Sequence, residues 1–164
     1  MSDMVFRTAR EADAETILAL YKSVVGAPFC AWNEFYPGME EIDADIASKG
    51  LFLLEDGGQI VGAVSAVPEN ELDGLPCWQT PGPARELARV IVRPSLQGRG
   101  LSKVLVQNAL DALREGGCAV VRLAVARENI PARRAYARLG FITVGENDMY
   151  GHHFYLCEKA LWRA

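Results

Sequence analysis

The residues most able to do chemistry lie in Gln97-Gly98-Arg99-Gly100-Leu101-Ser102. They follow the apolar run Val90-Ile91-Val92 and its ending at Arg93-Pro94. This short loop of small residues opens directly onto an amphipathic segment. A helix start carries backbone N–H groups without intrahelical partners at the positive end of the helix dipole, and that arrangement suits a phosphate group. The preceding strand is one a second molecule could lie beside, so the expected ligand is phosphorylated. The loop is not a Walker loop, since no Gly-Lys-Ser/Thr follows. Its glycine spacing and its late place in the chain do not fit a dinucleotide fingerprint either. Alone, Gln97–Gly100 also reads as an ordinary tight turn, and residues further along must decide.

Other reactive side chains are scattered. Arg122, Arg127, Arg133, Arg134 and Arg138 form a local basic stretch, which reads either as a solvated helix face or as a neighbour of an anionic ligand. Cys30, Cys77, Cys118 and Cys157 are far apart and show no metal-ligand spacing. Cys118 and Cys157 fall in apolar runs and read as small buried hydrophobes. His152 and His153 are the only histidines, with no ligand-spaced partner, so no metal is expected.

The elements that must position these residues follow from pattern. The 164 residues suit one domain, 1–164, with 50% hydrophobic and 23% charged residues. A net charge of −4 argues against a nucleic-acid partner, which needs a basic face. Met1–Arg10 is polar and charged, unlike a signal peptide, and no apolar run approaches the roughly 18 residues of a membrane span. A reduced, cytoplasmic location without membrane contact is the expectation. Strands are predicted at 5–8, 51–55, 59–67, 86–92, 120–126, 141–145 and 154–158, the second and third joined as a hairpin by Asp56-Gly57-Gly58. Helices are predicted at 11–25, 40–49, 98–115 and 131–139, and residues 68–83, with four prolines, form a long loop. The third helix should turn Leu101, Val104, Leu105, Ala109, Ala112 and Leu113 inward. This order gives a mixed α/β sheet with flanking helices and no internal repeat.

Thirty residues beyond the loop stands Asn129-Ile130-Pro131-Ala132-Arg133-Arg134-Ala135-Tyr136, followed by Gly140-Phe141. With the loop, this constellation resembles the GCN5-related N-acetyltransferase family, whose members transfer an acyl group from acyl-CoA to an amine. The family loop reads Gln/Arg-x-x-Gly-x-Gly/Ala; Gln97 and Gly100 match it, and Ser102 departs at the last, small position. Asn129, Tyr136, Gly140 and Phe141 match the second signature, and the element order matches over essentially the whole chain.

The resemblance implies a mostly antiparallel central sheet whose middle strands splay apart. Acetyl-CoA would then enter as the cofactor. Its pantetheine arm would lie along the backbone of Val90 and Val92, and its pyrophosphate would meet Gln97, Gly98, Arg99, Gly100, Leu101 and Ser102. Asn129 would bond the arm or position the helix after it. Tyr136 takes the role of general acid, for which a phenol of pKa about 10 is suited because it stays protonated at neutral pH. Glu86 is the best match for the base that deprotonates the attacking amine, since alternation puts Glu86, Ala88, Val90 and Val92 on one face. A solvated strand-end glutamate is the other reading.

The segments that shape the acceptor in such a family here hold Trp32 and Tyr36, Trp78, and Tyr150 with His152. Aromatic rings beside acidic residues suit an organic cation. The rings would equally serve as plugs at the core edge. The expected activity is acetyl transfer to a small-molecule amine by direct attack in a ternary complex. The alternatives are a protein or peptide amine, or an acyl-CoA-binding module without turnover. A homodimer is frequent in such a family, but no residue pattern marks an interface.

Overall fold

The structure is a computed structural model, and it describes residues 3–162. Seven strands and four helices follow one another as β1 (Met4–Thr8), α1 (Ala14–Lys22), α2 (Met39–Ala47), β2 (Leu51–Asp56), β3 (Gln59–Val67), β4 (Ala84–Val92), α3 (Leu101–Glu115), β5 (Val120–Ala126), α4 (Ile130–Arg138), β6 (Ile142–Met149) and β7 (His152–Ala160). The expected mixed, mostly antiparallel α/β fold is what forms. Among the described residues no helix is long and apolar enough to cross a membrane.

The chain makes two compact units. One holds residues up to Val67 with Ala88–Ala109, the other Pro68–Leu87 with residues from Leu110 onward. In the first, the strand order is β1-β2-β3-β4, with β1–β2 and β2–β3 antiparallel. Its core brings Ile17, Leu20 and Tyr21 of α1 and Ile42 of α2 against Leu51, Leu53, Ile60, Ala63 and Ile91 of the strands. Gly62 lets β3 pass close to β4: a β-carbon there would stand 3.1 Å from the Ile91 carbonyl oxygen and 3.3 Å from Leu105. In the second unit the order is β4-β5-β7-β6. The start of β4 runs parallel to β5 over Ala84–Glu86, and β5–β7 and β6–β7 are antiparallel.

Departures from the sequence expectations have local causes. The first helix begins three residues late, because Glu11–Asp13 forms a 3-10 turn. There the Asp13 carboxylate accepts the Arg10 N–H at 2.8 Å and holds the Arg7 guanidinium at 2.8 and 2.9 Å. The last hairpin is longer than expected. Residues 146–149 and 152–153, read from sequence as polar turn, are strand, and only Tyr150-Gly151 turns, at φ +53° and +77°. Two consecutive left-handed residues match the twist of a two-residue hairpin. On α3 Leu105, Ala109 and Leu113 are buried as expected and are joined by Val106 and Leu110, whereas Val104 is exposed and Leu101 and Ala112 are half-buried.

Arg7 also donates to Glu55 on β2, at 2.7 and 2.8 Å, tying β1, the 3-10 turn and β2 together. The Arg7 hydrogen bonds pull the Asp13 carboxyl down to about 2 from an ordinary 3.8. A depressed carboxyl pKa contributes stability above its unfolded value and loses it as pH falls through the folded one. Denaturant unfolding should therefore show stability dropping between about pH 4 and pH 2. Asp13→Asn should lose on the order of 1–2 kcal/mol at neutral pH, after solvent screening, and flatten that acid limb.

Candidate functional site

In the first unit the loop 97–100 hangs between the end of β4 and the start of α3. A single 3-10 turn at Pro94–Leu96 redirects the chain. Gln97 then reaches back, its Nε2 donating to the Val92 carbonyl at 3.1 Å, so this side chain fastens the loop to the strand end. Gly98 and Gly100 sit at φ +81° and +78°, a conformation that L side chains rarely adopt. Both are exposed, and a β-carbon on either would meet nothing within 4 Å. The backbone demands glycine here, and the space beside it is open to a ligand. Arg99 and Ser102 are exposed and Leu101 is half-buried at the helix start.

β4 itself is not regular. Arg89 lies at φ +50° within the strand. A left-handed residue breaks two-residue alternation, so the expected common face of Glu86, Ala88, Val90 and Val92 does not run through it. Ile91 and Val92 are buried in succession, and Val90 is half-buried. The Arg89 side chain is bound within the unit: Nη2 lies 2.7 Å from Asp45 Oδ2 on α2, and Nη1 donates to the Tyr36 hydroxyl at 3.2 Å. Asp45 is 4% exposed and also accepts from Ser65 Oγ at 2.6 Å. Sequence reading missed this acid, which sits among acidic neighbours in α2 and carries no motif. Trp32 packs edge-on against Tyr21 at 5.2 Å, so it serves the core edge, while Tyr36 is 45% exposed.

In the second unit, Asn129 caps α4: its Oδ1 accepts the Ala132 N–H at 3.3 Å, with Pro131 in the first turn. Tyr136 projects one turn further along, edge-on to Phe141 at 5.7 Å. It lines a cleft of about 400 Å³ with Arg133, Arg134, Thr143, Tyr155 and Cys157. Burial among these groups pushes its phenol up to about 12, so it is fully protonated at neutral pH. The Arg133 guanidinium lies over the Tyr155 ring at 4.6 Å, which gives one member of the basic stretch a partner inside the fold.

Glu86 is half-buried at the start of β4, directly across from Arg122 on β5, and Arg122 stands across from Glu158 on β7. Two carboxyl residues thus flank one arginine in a row across three strands. Glu158 is 1% exposed and accepts the Gln79 N–H at 2.7 Å; as the last residue of an expected strand it carried no signal. Arg122 donates to Asp73 at 3.0 Å and covers Trp78 at 4.9 Å, and the Trp78 indole N–H donates to the Leu72 carbonyl at 2.7 Å. Trp78 therefore has both its ring face and its donor engaged internally. Tyr150 is 71% exposed at the hairpin tip and His152 lies 3.7 Å from Glu128. His153 bridges Glu146 and Asp148 at 2.7 Å each, and those carboxylates raise its pKa above the ordinary histidine value. Among the described residues no group of three or more His, Cys, Asp or Glu could hold a metal ion.

Comparison with known proteins gives this arrangement its class. The sequence pattern of the Acetyltransferase (GNAT) family matches residues 16–141, and the chain belongs to that family. A mycothiol acetyltransferase of Thermomonospora curvata is 37% identical over 103 residues, covering 62% of this chain and 30% of that protein. The chain thus spans less than a third of that relative's length. The L-amino acid N-acyltransferase MnaT of Escherichia coli K12 is 24% identical over 163 residues, covering 92% of this chain and 87% of the relative. The structure of yncA from Salmonella typhimurium, described as an acetyltransferase with its cofactor acetyl-CoA, aligns at a TM-score of 0.77 and 22% identity over 99% of this chain and 96% of that one. That last likeness is one of fold.

The cap on α4 can be tested apart from any ligand. Asn129→Ala should cost about 1 kcal/mol in denaturant unfolding, and Asn129→Ser, which supplies another capping oxygen, should recover most of it.

Proposed function

We propose that the chain is an N-acetyltransferase, acting as one domain over 1–164, that moves the acetyl group of acetyl-CoA to the amine of a small molecule. The observation that carries this reading is Tyr136, presented to a cleft by an Asn129-capped helix in a member of the family. The left-handed glycines at 98 and 100, with open space beside them, suit a backbone cradle for a pyrophosphate. The amides from Gln97 to Ser102 would hold that end of acetyl-CoA. Arg99 adds positive charge, and the backbone of Val90 and Val92 takes the pantetheine arm. One acceptor site on Val92 is already shared, because its carbonyl receives the Gln97 side chain.

Bound acetyl-CoA supplies an activated thioester. The protein has to manage two protons. Tyr136 holds one on Oη at neutral pH, ready for a departing sulfur anion. An acceptor amine has pKa near 10.4 and reaches the site as an ammonium. Glu86 is assigned to take its proton at the carboxylate, directly or through water. Tyr36 of the first unit and Tyr150 and His152 of the second are exposed and are assigned to the acceptor, as is Trp32. Trp78 has its ring face and its donor engaged internally and is not assigned a contact with the ligand. The L-amino acid N-acyltransferase relative, matched over most of its length, favours an acceptor of amino-acid size.

A thiol-release assay with acetyl-CoA against amino acids, simple amines and a lysine peptide tests this. Release should require a small amine. Turnover confined to the peptide would shift the reading to protein amines, and cofactor binding with no turnover on any amine would make the chain a binder. Tyr136→Phe should lower kcat by about 10²- to 10⁴-fold with little change in KM for acetyl-CoA. Glu86→Gln should slow the reaction at neutral pH and recover partly at high pH, where the amine is already neutral. An unchanged pH–rate profile would remove Glu86 from the role.

A further inference from the structure

The left-handed residue in β4 has no explanation in the strand alone. A non-glycine residue at φ +50° is strained and persists only where its surroundings over-determine it. Here those surroundings are specific. The Arg89 guanidinium is fixed by the Asp45 carboxylate at 2.7 Å and the Tyr36 hydroxyl at 3.2 Å, and Ser65 of β3 holds the same Asp45 oxygen at 2.6 Å. Its Nε is buried and has no hydrogen-bond partner among the described residues. An ion pair kept for stability alone needs no strained backbone, and apolar packing often does as well. The strain has a local consequence, because the left-handed residue resets the alternation of the strand. The backbone groups at Val90–Val92 therefore point where a regular strand would not aim them.

We propose that Arg89, clamped by Asp45, is a positioning residue that holds the left-handed turn in β4 and so aims the backbone of Val90–Val92 at the arm of acetyl-CoA. The inference rests on the reading of that backbone as the cofactor-binding edge. Arg89 itself need not touch cofactor or acceptor. The clamp joins three places in the first unit: α2 through Asp45, the segment before α2 through Tyr36, and β3 through Ser65.

Calorimetric titration of the full chain with acetyl-CoA tests the clamp, with circular dichroism and melting to confirm folding. Arg89→Ala should weaken acetyl-CoA binding by about tenfold or more, a difference near 1.4 kcal/mol. Arg89→Gly, which adopts positive φ without strain, should regain most of that affinity while its melting temperature stays low. That split between affinity and stability is one that a merely structural pair would not produce. Asp45→Asn, close to isosteric, should fall between and should shift the amide resonances of Val90–Val92. If Arg89→Ala does not fold, Asp45→Asn decides on the same two readouts. The inference is overturned if folded Arg89→Ala binds acetyl-CoA as wild type does, if Arg89→Gly binds no better than Arg89→Ala, or if Asp45→Asn leaves both affinity and resonances unchanged. Wild-type protein that fails to bind acetyl-CoA at all would instead overturn the proposed function. The amide resonances of Val90–Val92 in ligand-free Asp45→Asn would then still show whether the clamp shapes the strand.

Discussion

The pairing of Arg89 with Asp45 links β4 to α2 in the interior of the first unit. A guanidinium and a carboxylate taken out of water must find each other, because removing one partner leaves a buried charge at a cost of about 3–5 kcal/mol. Asp45 is 4% exposed and Arg89 nearly as enclosed, so the constraint is strong. It brings Ser65 of β3 into the same network and requires Arg89 to leave extended geometry so that its side chain reaches α2. The apolar packing is arranged around it: Gly62 admits the Ile91 carbonyl at a distance a side chain would obstruct, and Ile17, Tyr21 and Ile42 close the core above.

The second unit solves a similar problem differently. Arg122 stands across from Glu86 and Glu158 on neighbouring strands, donates to Asp73 and lies over Trp78. Glu158 anchors the long proline-rich loop through Gln79. These contacts give a loop with little regular structure a fixed course over the sheet. They also leave Trp78 committed to the protein, and that narrows the aromatic residues available to an acceptor. Arg7, Arg89, Arg122 and Arg133 each organise an acid or a ring within the fold.

Much of this could be read from the sequence, for reasons that differ by element. The β2–β3 hairpin and β5 were legible because apolar runs are set off by punctuation, Gly57-Gly58 between β2 and β3 and Gly116-Gly117 ahead of β5. The glycine loop and the Asn129–Tyr136 spacing were legible because each is a local motif whose backbone conformation needs particular residue types, and Gly98, Gly100 and the Asn129 cap adopt those conformations. Arg89 was not legible. Nothing in Glu86–Val92 departs from a strand pattern, and its left-handed turn depends on Asp45, 44 positions away. The extent of the last hairpin was hidden for a related reason. Residues 146–149 and 152–153 are mostly polar, and they pair as antiparallel strand across the two-residue turn, with His153 bridging Glu146 and Asp148 on one face. Polar contacts, whether across 44 positions as for Arg89 or across a hairpin as for His153, leave no apolar periodicity, and these are the features that pattern reading lost.

The central claim is that the end of β4 and the glycine loop form one backbone edge that receives acetyl-CoA. Amide hydrogen exchange, followed residue by residue with and without saturating acetyl-CoA, tests it most directly. The account predicts that protection on binding concentrates at Val90–Val92 and Gln97–Ser102, with a second region at Asn129–Tyr136, while β1 and β2 exchange as before. Protection spread evenly over the chain, or confined to segments outside those residues, would contradict it.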